Sequence, residues 1–299
     1  MFNFYIQHEY WFAAVQLTLA MVGMGATLAP ADFVRVVADP KGFTVGMLLQ
    51  LVVVPAVAYG FILQLSGNAG LAVGLAICAA IPGGAVSNVF THLARGHVAL
   101  SIALSAITTA ACLVTTPLIL DLLISGHLPA EFEMPAGRIA TDIALTLLLP
   151  LVLGMVYLRF LPASAPAFSK WCIRGSLLGI ALIVIGALGA GRLDLESFGL
   201  RNIGGVLAFI VALAAISHAL PRLLGNSRAD VVAINIEVTV RNTNLGLLIK
   251  ASLMPAVLGV ADPVGDHALI AILLYGGLML ALSGAMIPWF RRAAPASRV

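Results

Sequence analysis

Glu237 is a carboxylate in a part of the sequence that is otherwise apolar enough to lie in a membrane. It belongs to the polar run Asn235-Ile236-Glu237-Val238-Thr239-Val240-Arg241-Asn242-Thr243-Asn244. An ionised carboxylate in hydrocarbon is costly unless a cation or a proton compensates its charge, so such a residue indicates function. Na⁺ is a hard cation and should prefer oxygen ligands. Glu237 could therefore bind it together with neutral oxygens, for which the candidates are Ser87, Asn88, Ser101 and Ser105.

The run Ile81-Pro82-Gly83-Gly84-Ala85-Val86-Ser87-Asn88 interrupts a second apolar segment. Proline removes an amide donor and two glycines weaken a helix, so this segment should break near its middle. Irregular backbone at membrane depth persists only where protein buries it or a cavity solvates it. Two interrupted spans in corresponding halves of a chain indicate an inverted-repeat transporter, in which freed carbonyls can hold a cation and half-helix N-termini can face an anion. The alternative is a proline kink beside a buried polar network.

The composition indicates that lipid, rather than water, is the main solvent of this chain. Of 299 residues, 61% are hydrophobic and 10% are charged, and the mean hydropathy is +1.06, whereas soluble domains are about a quarter charged. The long charge-free stretches suit helices that satisfy their own backbone in lipid, and the alternation of a β-barrel is absent from the sequence. No basic cluster suggests a nucleic-acid partner. Cys78, Cys112 and Cys172 lack metal-ligand spacing, and we expect them to be buried hydrophobic residues.

Apolar runs between turn signals predict an all-α membrane protein with about nine transmembrane helices. The short turn Leu65-Ser66-Gly67-Asn68 divides the longest charge-free stretch into two spans. The predicted spans are 10–29, 42–65, 69–95, 97–124, 138–159, 168–191, 201–224, 228–253 and 267–290.

The basic residues predict how these spans are oriented. Two of them, Arg241 and Lys250, lie within a span, and we expect Lys250 to extend its side chain to the outer interface. Basic residues favour the cytoplasmic side, so the N-terminus should lie outside and the C-terminus inside an inner membrane. The residues on the predicted cytoplasmic side are Arg35, Lys41, Arg95, Arg159, Lys170, Arg174, Arg222, Arg228, Arg291, Arg292 and Arg298, and those on the outer side are Arg138, Arg192 and Arg201.

The sequence resembles the bile acid:sodium symporter family over almost its whole length. One segment that carries the resemblance is Pro82-Gly83-Gly84-Ala85-Val86-Ser87-Asn88, which continues through Thr91-His92-Leu93-Ala94-Arg95-Gly96-His97-Val98-Ala99-Leu100-Ser101. The others are Ile236-Glu237-Val238 with Arg241-Asn242, and Gly23-Met24-Gly25-Ala26-Thr27-Leu28. The resemblance implies an inverted repeat with two broken, crossing helices, and a core domain that moves against a panel domain. The implied core comprises 42–125 and 201–292 with crossover helices 69–95 and 228–253, and the implied panel comprises 10–30 and 138–192.

The resemblance also implies two sodium sites. The first would consist of Ser87, Asn88, Ser101, Ser105 and Glu237. The second would use Glu237, Gln50, the carbonyl groups of Val238 and Val240, and a glutamine at position 241, where this chain has Arg241.

Arg241 departs from the family pattern in a way that changes the expected chemistry. A guanidinium is always protonated and has no acceptor, so it cannot ligate Na⁺. We therefore predict that the charge of Arg241 replaces the second ion and pairs with Glu237, four residues earlier. Capture of a substrate carboxylate or sulfonate by the same guanidinium is an alternative, and the two roles could be combined. The cycle would then use one Na⁺, or none.

The resemblance places the substrate at the helix crossing, where the candidate contacts are Asn242, Arg241, Ala85 and Gly84. Ala85 stands where relatives often have Thr, and Gly276-Gly277 stand where some have His and Asn. We therefore expect a less polar pocket than in relatives that bind polyhydroxylated acids. Bile acids, pantoate, keto acids and sulfated steroids all fit this class of substrate.

We predict a secondary active transporter of a small organic anion that works by alternating access as a monomer. An efflux permease of the auxin or arsenite type, not coupled to Na⁺, is the main alternative. A channel would need a ring of filter groups, and an enzyme would need a catalytic motif, neither of which the sequence contains. His218 lies mid-span and could relay protons, although a lone intramembrane His is more often a hydrogen-bonded packing residue.

Overall fold

The computed structural model of the protein describes residues 2–29, 40–65, 67–127 and 133–292. Within these ranges the chain forms helices and no strand, which confirms the predicted all-α class. The helices are α1 (Phe2–Gly25), α2 (Pro40–Gln64), α3 (Ala69–Ala80), α4 (Ala85–Leu93), α5 (Val98–Ile124), α6 (Ala136–Phe160), α7 (Ala165–Gly189), α8 (Leu195–Phe198), α9 (Leu200–Leu223), α10 (Arg228–Thr239), α11 (Thr243–Leu253) and α12 (Pro263–Arg292).

Six helices in the described ranges are long and apolar enough to cross a membrane, namely α2, α5, α6, α7, α9 and α12. They have between 24 and 30 residues each, and about 20 residues suffice to cross the hydrocarbon layer. The protein is therefore a multi-pass membrane protein. Helix α1 has 24 residues but is not among the six, and α3, α4, α10 and α11 are too short to cross alone.

One predicted helix bound is wrong in a way that matters for the site. Helix α1 begins at Phe2 rather than at residue 10, so Glu9 lies inside it. The polar run 235–244 is predicted to interrupt the eighth span, and the break comes only after α10 ends at Thr239. The helix persists because protein groups satisfy its polar side chains, since Asn235 donates its amide to Ala214 O at 2.7 Å.

Two predicted spans are each broken into two helices, α3 with α4 and α10 with α11. At the breaks, Gly84 N donates to Val240 O at 3.0 Å, and Asn242 N donates to Pro82 O at 2.9 Å. The two breaks thus form one short antiparallel bridge. Each break satisfies backbone groups of the other, which lipid could not do.

Two long helices contain a π-helical segment just before a proline. In α2 the segment Leu49–Val53 precedes Pro55, and in α6 the segment Ala144–Leu148 precedes Pro150. Proline has no N–H to donate to the carbonyl four residues earlier, so the local hydrogen bonds shift to a five-residue spacing. Gln50 lies in the first segment and is buried.

The helices pack in two groups. Helix α1 packs against α6 and α7, while α2 to α5 pack with α9 to α12. Between the groups, α11 contacts α1 and the start of α6, and α5 also contacts the start of α6. Glycines allow the backbones of α1 and α6 to approach closely. A Cβ atom on Gly25 would lie 2.0 Å from Leu151 O, and one on Gly154 would lie 2.2 Å from Val22 O.

Candidate ion site and helix crossing

Glu237 lies at the centre of a cluster of oxygen atoms and is fully buried. Its Oε2 accepts from Ser87 Oγ at 2.5 Å and from Ser101 Oγ at 3.0 Å, and its Oε1 accepts from Ser105 Oγ at 2.6 Å. Asn88 Oδ1 accepts from Ser101 Oγ at 2.8 Å. The structure therefore brings together, from α4, α5 and α10, the five side chains that the sequence suggests as oxygen ligands.

The hydroxyl groups around Glu237 have fewer protons than acceptors. Ser87 Oγ lies 2.5 Å from Glu237 Oε2 and 2.6 Å from Gly84 O, but a hydroxyl carries one proton. Unpaired buried acceptors are costly, so a cation or an added proton would stabilise this cluster. Hydroxyl, amide and carboxylate oxygens suit a hard cation. Across the described ranges, no group of three or more His, Cys, Asp or Glu could hold a metal ion.

Gly83 leaves the space that the Glu237 carboxylate occupies. A Cβ atom on Gly83 would lie 1.8 Å from Glu237 Oε1 and 2.6 Å from its carboxyl carbon. The sequence suggests only that this glycine weakens a helix. That Gly83 also makes room for the carboxylate depends on the approach of α10 to the break after α3, which no local pattern reveals.

The guanidinium of Arg241 lies on the end of α3 and not on Glu237. Its Nη1 donates to Ile81 O at 2.8 Å and to Gln50 Oε1 at 3.3 Å, and its Nη2 donates to Ala79 O at 3.4 Å. The ion pairs in the described part of the chain do not include Arg241. The predicted pairing with Glu237 is therefore wrong.

The reason is the break itself, because pairing between residues four apart requires a continuous helix. Val240 is extended, with φ −91° and ψ 93°, and the backbone turns away from the α10 axis before Arg241. The guanidinium instead supplies positive charge at the C-terminal end of α3, where the carbonyl end of a helix favours a cation.

Residues that the resemblance assigns to a second sodium site lie around Arg241. Gln50 contacts its guanidinium, the carbonyl oxygen of Val240 accepts from Gly84 N, and Val238 lies buried on α10. Arg241 Nε and Gln50 Nε2 have no hydrogen-bond partner among the described residues. Both residues line a cavity of about 10 Å³, close to the volume that one water molecule needs.

The predicted substrate contacts lie where the second halves of the broken spans begin. Gly84 precedes the first residue of α4, Ala85, and Asn242 is the N-cap of α11, accepting from Leu245 N at 3.4 Å. Two helix N-termini thus begin at the crossing, and each carries partial positive charge. A role for these residues in substrate binding stays a prediction.

A buried ion cluster, which we call the Glu9 cluster, consists of Glu9, Arg192, Lys250 and Asp266. Lys250 Nζ, on α11, lies 3.1 and 3.2 Å from the two carboxylate oxygens of Glu9, on α1. Arg192 Nη1 lies 3.0 Å from Glu9 Oε1, and Arg192 Nε donates to Asp266 Oδ1 at 2.5 Å. Burial alone would lower the pKa of Arg192, but the two carboxylates outweigh this effect and raise it.

The prediction that Lys250 extends to the interface is wrong, because its side chain is fully buried. Its partner, Glu9, lies outside the predicted first span, which begins one residue later. A second polar contact lies between α1, α11 and α6. Asp142, on α6, accepts from Tyr10 Oη at 2.7 Å and from Ser252 Oγ at 2.6 Å, which ties α6 to α1 and α11.

Two broken helices that cross inside a multi-pass membrane protein, beside a buried oxygen cluster, define the class of secondary transporters. The chain belongs to the sodium bile acid symporter family, whose model matches residues 14–193, more than half of the chain. This is a family of sodium-dependent transporters and not of enzymes.

Similar proteins come from bacteria, plants and animals. The uncharacterized sodium-dependent transporter YocS of Bacillus subtilis is 31% identical over 244 residues, which cover 79% of this chain and 72% of that protein. The probable chloroplastic sodium/metabolite cotransporter BASS2 of Oryza sativa is 30% identical over 241 residues, 79% of this chain and 55% of that protein. The sodium-dependent organic anion transporter of Bos taurus is 29% identical over 187 residues, 62% of this chain and 48% of that protein. The chain thus matches about half the length of the plant and animal relatives.

Proposed function

We propose that this protein is a sodium-coupled symporter of a small organic anion and that it binds one Na⁺ beside Glu237. The observation that carries the proposal is a fully buried carboxylate that contacts Ser87, Ser101 and Ser105 and forms no ion pair within the described ranges. Its charge needs a mobile partner. The ion gradient then drives transport, because the partner must be bound and released in each cycle.

Arg241 supplies the fixed charge of a second cation in this proposal. Its donors occupy the carbonyl oxygens of Ile81 and Ala79 and the side chain of Gln50. A second Na⁺ there would lose these ligands and meet a like charge. We therefore expect one Na⁺ per substrate. These contacts favour ion replacement over substrate capture, since they hold the guanidinium within the protein.

Nine spans follow if α1 and the two broken pairs cross the membrane together with the six long helices. The broken pairs are then the third and eighth spans, an odd number apart, so they enter the membrane from opposite sides. The antiparallel bridge between the breaks fits this inverted relation. On this reading the N-terminus lies outside an inner membrane and the C-terminus lies in the cytoplasm.

The packing supports a panel of α1, α6 and α7 that moves against a core of the other long helices and the broken pairs. The Glu9 cluster and Asp142 bind α11 to α1 and α6 at what is, on this reading, the outer end. In the inner half, α4 leaves Val86, Val89 and Leu93 exposed by 44 to 56%. The contacts at the outer end support a conformation that is closed to the outside.

We expect the substrate anion to bind between the starts of α4 and α11, beside Gly84, Ala85 and Asn242, in a protein that works as a monomer. Two helix N-termini favour a negative group at that place. The name of the Bos taurus relative, a sodium-dependent organic anion transporter, supports the same class of substrate.

The sodium site can be tested without knowing the substrate. For the purified protein at pH 8 and constant ionic strength, replacing K⁺ by Na⁺ at about a hundredfold its Kd should raise the melting temperature by roughly 5 °C. Glu237→Gln and Ser105→Ala should abolish or sharply reduce this rise. Ser176→Ala, which alters a buried serine on α7 away from the cluster, should retain it.

Two outcomes contradict the proposal. If Glu237→Gln keeps the full Na⁺ response, the ion binds elsewhere. If wild type responds to acidification but not to Na⁺, the partner of Glu237 is a proton. A screen of organic anions in the same assay, with and without Na⁺, then identifies a substrate for measuring the ratio of Na⁺ to anion in proteoliposomes.

A further inference from the structure

A pocket of about 370 Å³ lies between the ends of α9 and α12 and the start of α10. It is separate from the helix crossing, and the proposed transport cycle does not use it. Val231 and Val232 contribute apolar surface to it. Its polar and aromatic lining consists of His218, Arg222, Asn226, Arg228, Trp289 and Phe290.

Several polar atoms in this lining lack a partner. Asn226 Nδ2, Asn226 Oδ1 and His218 Nδ1 are buried atoms without a hydrogen-bond partner in the described ranges. The backbone of Asn226 is fixed, because its N–H donates to Pro221 O at 3.0 Å after Gly225, with φ 73°, ends α9. An unpaired buried polar group is destabilising. A ligand with both donors and acceptors would satisfy the amide.

In the described part of the chain, no carboxylate forms an ion pair with the two arginines of the pocket, Arg222 and Arg228. Arg228 donates one bond to the carbonyl of Phe290. Asp230, further along α10, is already engaged, with its two oxygens 2.6 Å from His97 Nδ1 and 2.5 Å from Ser227 Oγ. The start of α10 adds partial positive charge. An anion with several acceptor oxygens would be attracted by this positive charge.

We propose that the pocket binds the phosphate and hydroxylated headgroup of an anionic glycerophospholipid. The surface beside it favours a lipid over a soluble phosphate, because Leu223 is 82% exposed and Trp289 is 50% exposed. The indole of Trp289 also packs on His218, with ring centroids 4.9 Å apart. Trp marks the membrane interface, and basic pockets between transmembrane helices bind lipid headgroups.

Trp289 provides a local measurement of occupancy. In a Trp11→Phe/Trp171→Phe background, Trp289 is the remaining indole of the three in the chain. In bilayers of brominated phosphatidylcholine its fluorescence is quenched, and unbrominated phosphatidylglycerol that occupies the pocket should restore it. We expect phosphatidylglycerol to bind at least about tenfold more tightly than phosphatidylcholine, since two arginines contribute.

Arg222→Gln should reduce this preference about fivefold, and Asn226→Ala should also reduce it. Arg159→Gln removes an exposed arginine from the last turn of α6, outside the pocket, and should leave the preference unchanged. Equal binding of both lipids to wild type, or an unchanged preference in Arg222→Gln, overturns the proposal. If inorganic phosphate alone at millimolar concentration displaces phosphatidylglycerol from the pocket, the pocket binds a soluble anion and the proposal is also overturned.

Discussion

At the residue scale, the Glu237 cluster combines one negative charge with neutral donors. Ser87, Ser101 and Ser105 orient the carboxylate without cancelling its charge. Arg241, two residues beyond the end of α10, is held by carbonyl groups at the end of α3. In the proposed function, the charge of this site is therefore balanced by an ion that binds and leaves, as coupling requires.

Gly83→Ala tests whether the carboxylate must occupy its observed position. The added methyl group would overlap Glu237 Oε1, so the carboxylate must move, at a cost of about 1–3 kcal/mol. We expect Na⁺ affinity, measured from the melting temperature against Na⁺ concentration, to fall at least about tenfold. Gly284→Ala, on α12, is the matched control because a Cβ there meets nothing within 4 Å. Equal Na⁺ affinity in both variants would show that the carboxylate is not an ion ligand.

The side chains of the Glu237 cluster could be predicted at this scale, because residue type and an apolar context are both visible in the sequence. The neighbours of Arg241 and the role of Gly83 could not. They depend on the direction that the chain takes after Thr239 and on how closely α10 approaches Gly83, and both arise from contacts between segments about 150 residues apart.

At the element scale, each broken span stabilises the other. The hydrogen bonds from Gly84 to Val240 and from Asn242 to Pro82 satisfy groups that each break exposes, and Arg241 covers carbonyls at the end of α3. The sequence predicts that both spans break, because proline, glycine and polar runs are local signals. It does not predict where α10 ends, because the partners of Asn235 lie on α9.

Replacement of Arg241 tests whether its charge substitutes for an ion. Arg241→Gln removes the guanidinium and leaves an amide beside Gln50, so a second Na⁺ can enter. We expect the dependence of the melting temperature, and of anion uptake, on Na⁺ to become cooperative, with a Hill coefficient rising from about 1 toward 2. Arg241→Lys keeps the positive charge and should remain non-cooperative. Cooperative Na⁺ dependence in the wild-type protein would contradict the proposal.

At the scale of the whole molecule, two of the polar contacts between the helix groups lie at the same end. Glu9 with Lys250, and Asp142 with Ser252, join α1 and α6 to α11 at the end of α11 that is remote from the crossing. In the proposed alternating-access cycle, these contacts must break when the end that they close opens. The sequence predicts the helices but not these contacts, because Glu9 and Lys250 are 241 residues apart and no local pattern pairs them.

Glu9→Gln should shift the protein toward a conformation open at the Glu9 cluster. The change leaves Lys250 buried beside Arg192 without a carboxylate between them, and removing one partner of a buried ion pair costs about 3–5 kcal/mol. Separation of α11 from α1 would hydrate Lys250 and relieve that cost. Gln16 Nε2 donates to Asn244 O at 3.2 Å, so Asn244→Cys reports on the same interface, and the three native cysteines are buried. We expect a membrane-impermeant maleimide added outside cells to label Asn244→Cys at least about tenfold faster in the Glu9→Gln protein.

Two further variants separate the ion pair from general loosening of the fold. Glu196→Gln removes an exposed carboxylate on α8 and should leave the labelling rate unchanged. Glu9→Gln/Lys250→Met removes both charges and should return the rate toward that of the wild type, because no uncompensated charge then remains between the helices. If the double variant labels as fast as Glu9→Gln, packing rather than charge holds the helices together. If none of the variants changes the rate, α1 and α11 do not separate during the cycle, and the moving interface lies elsewhere.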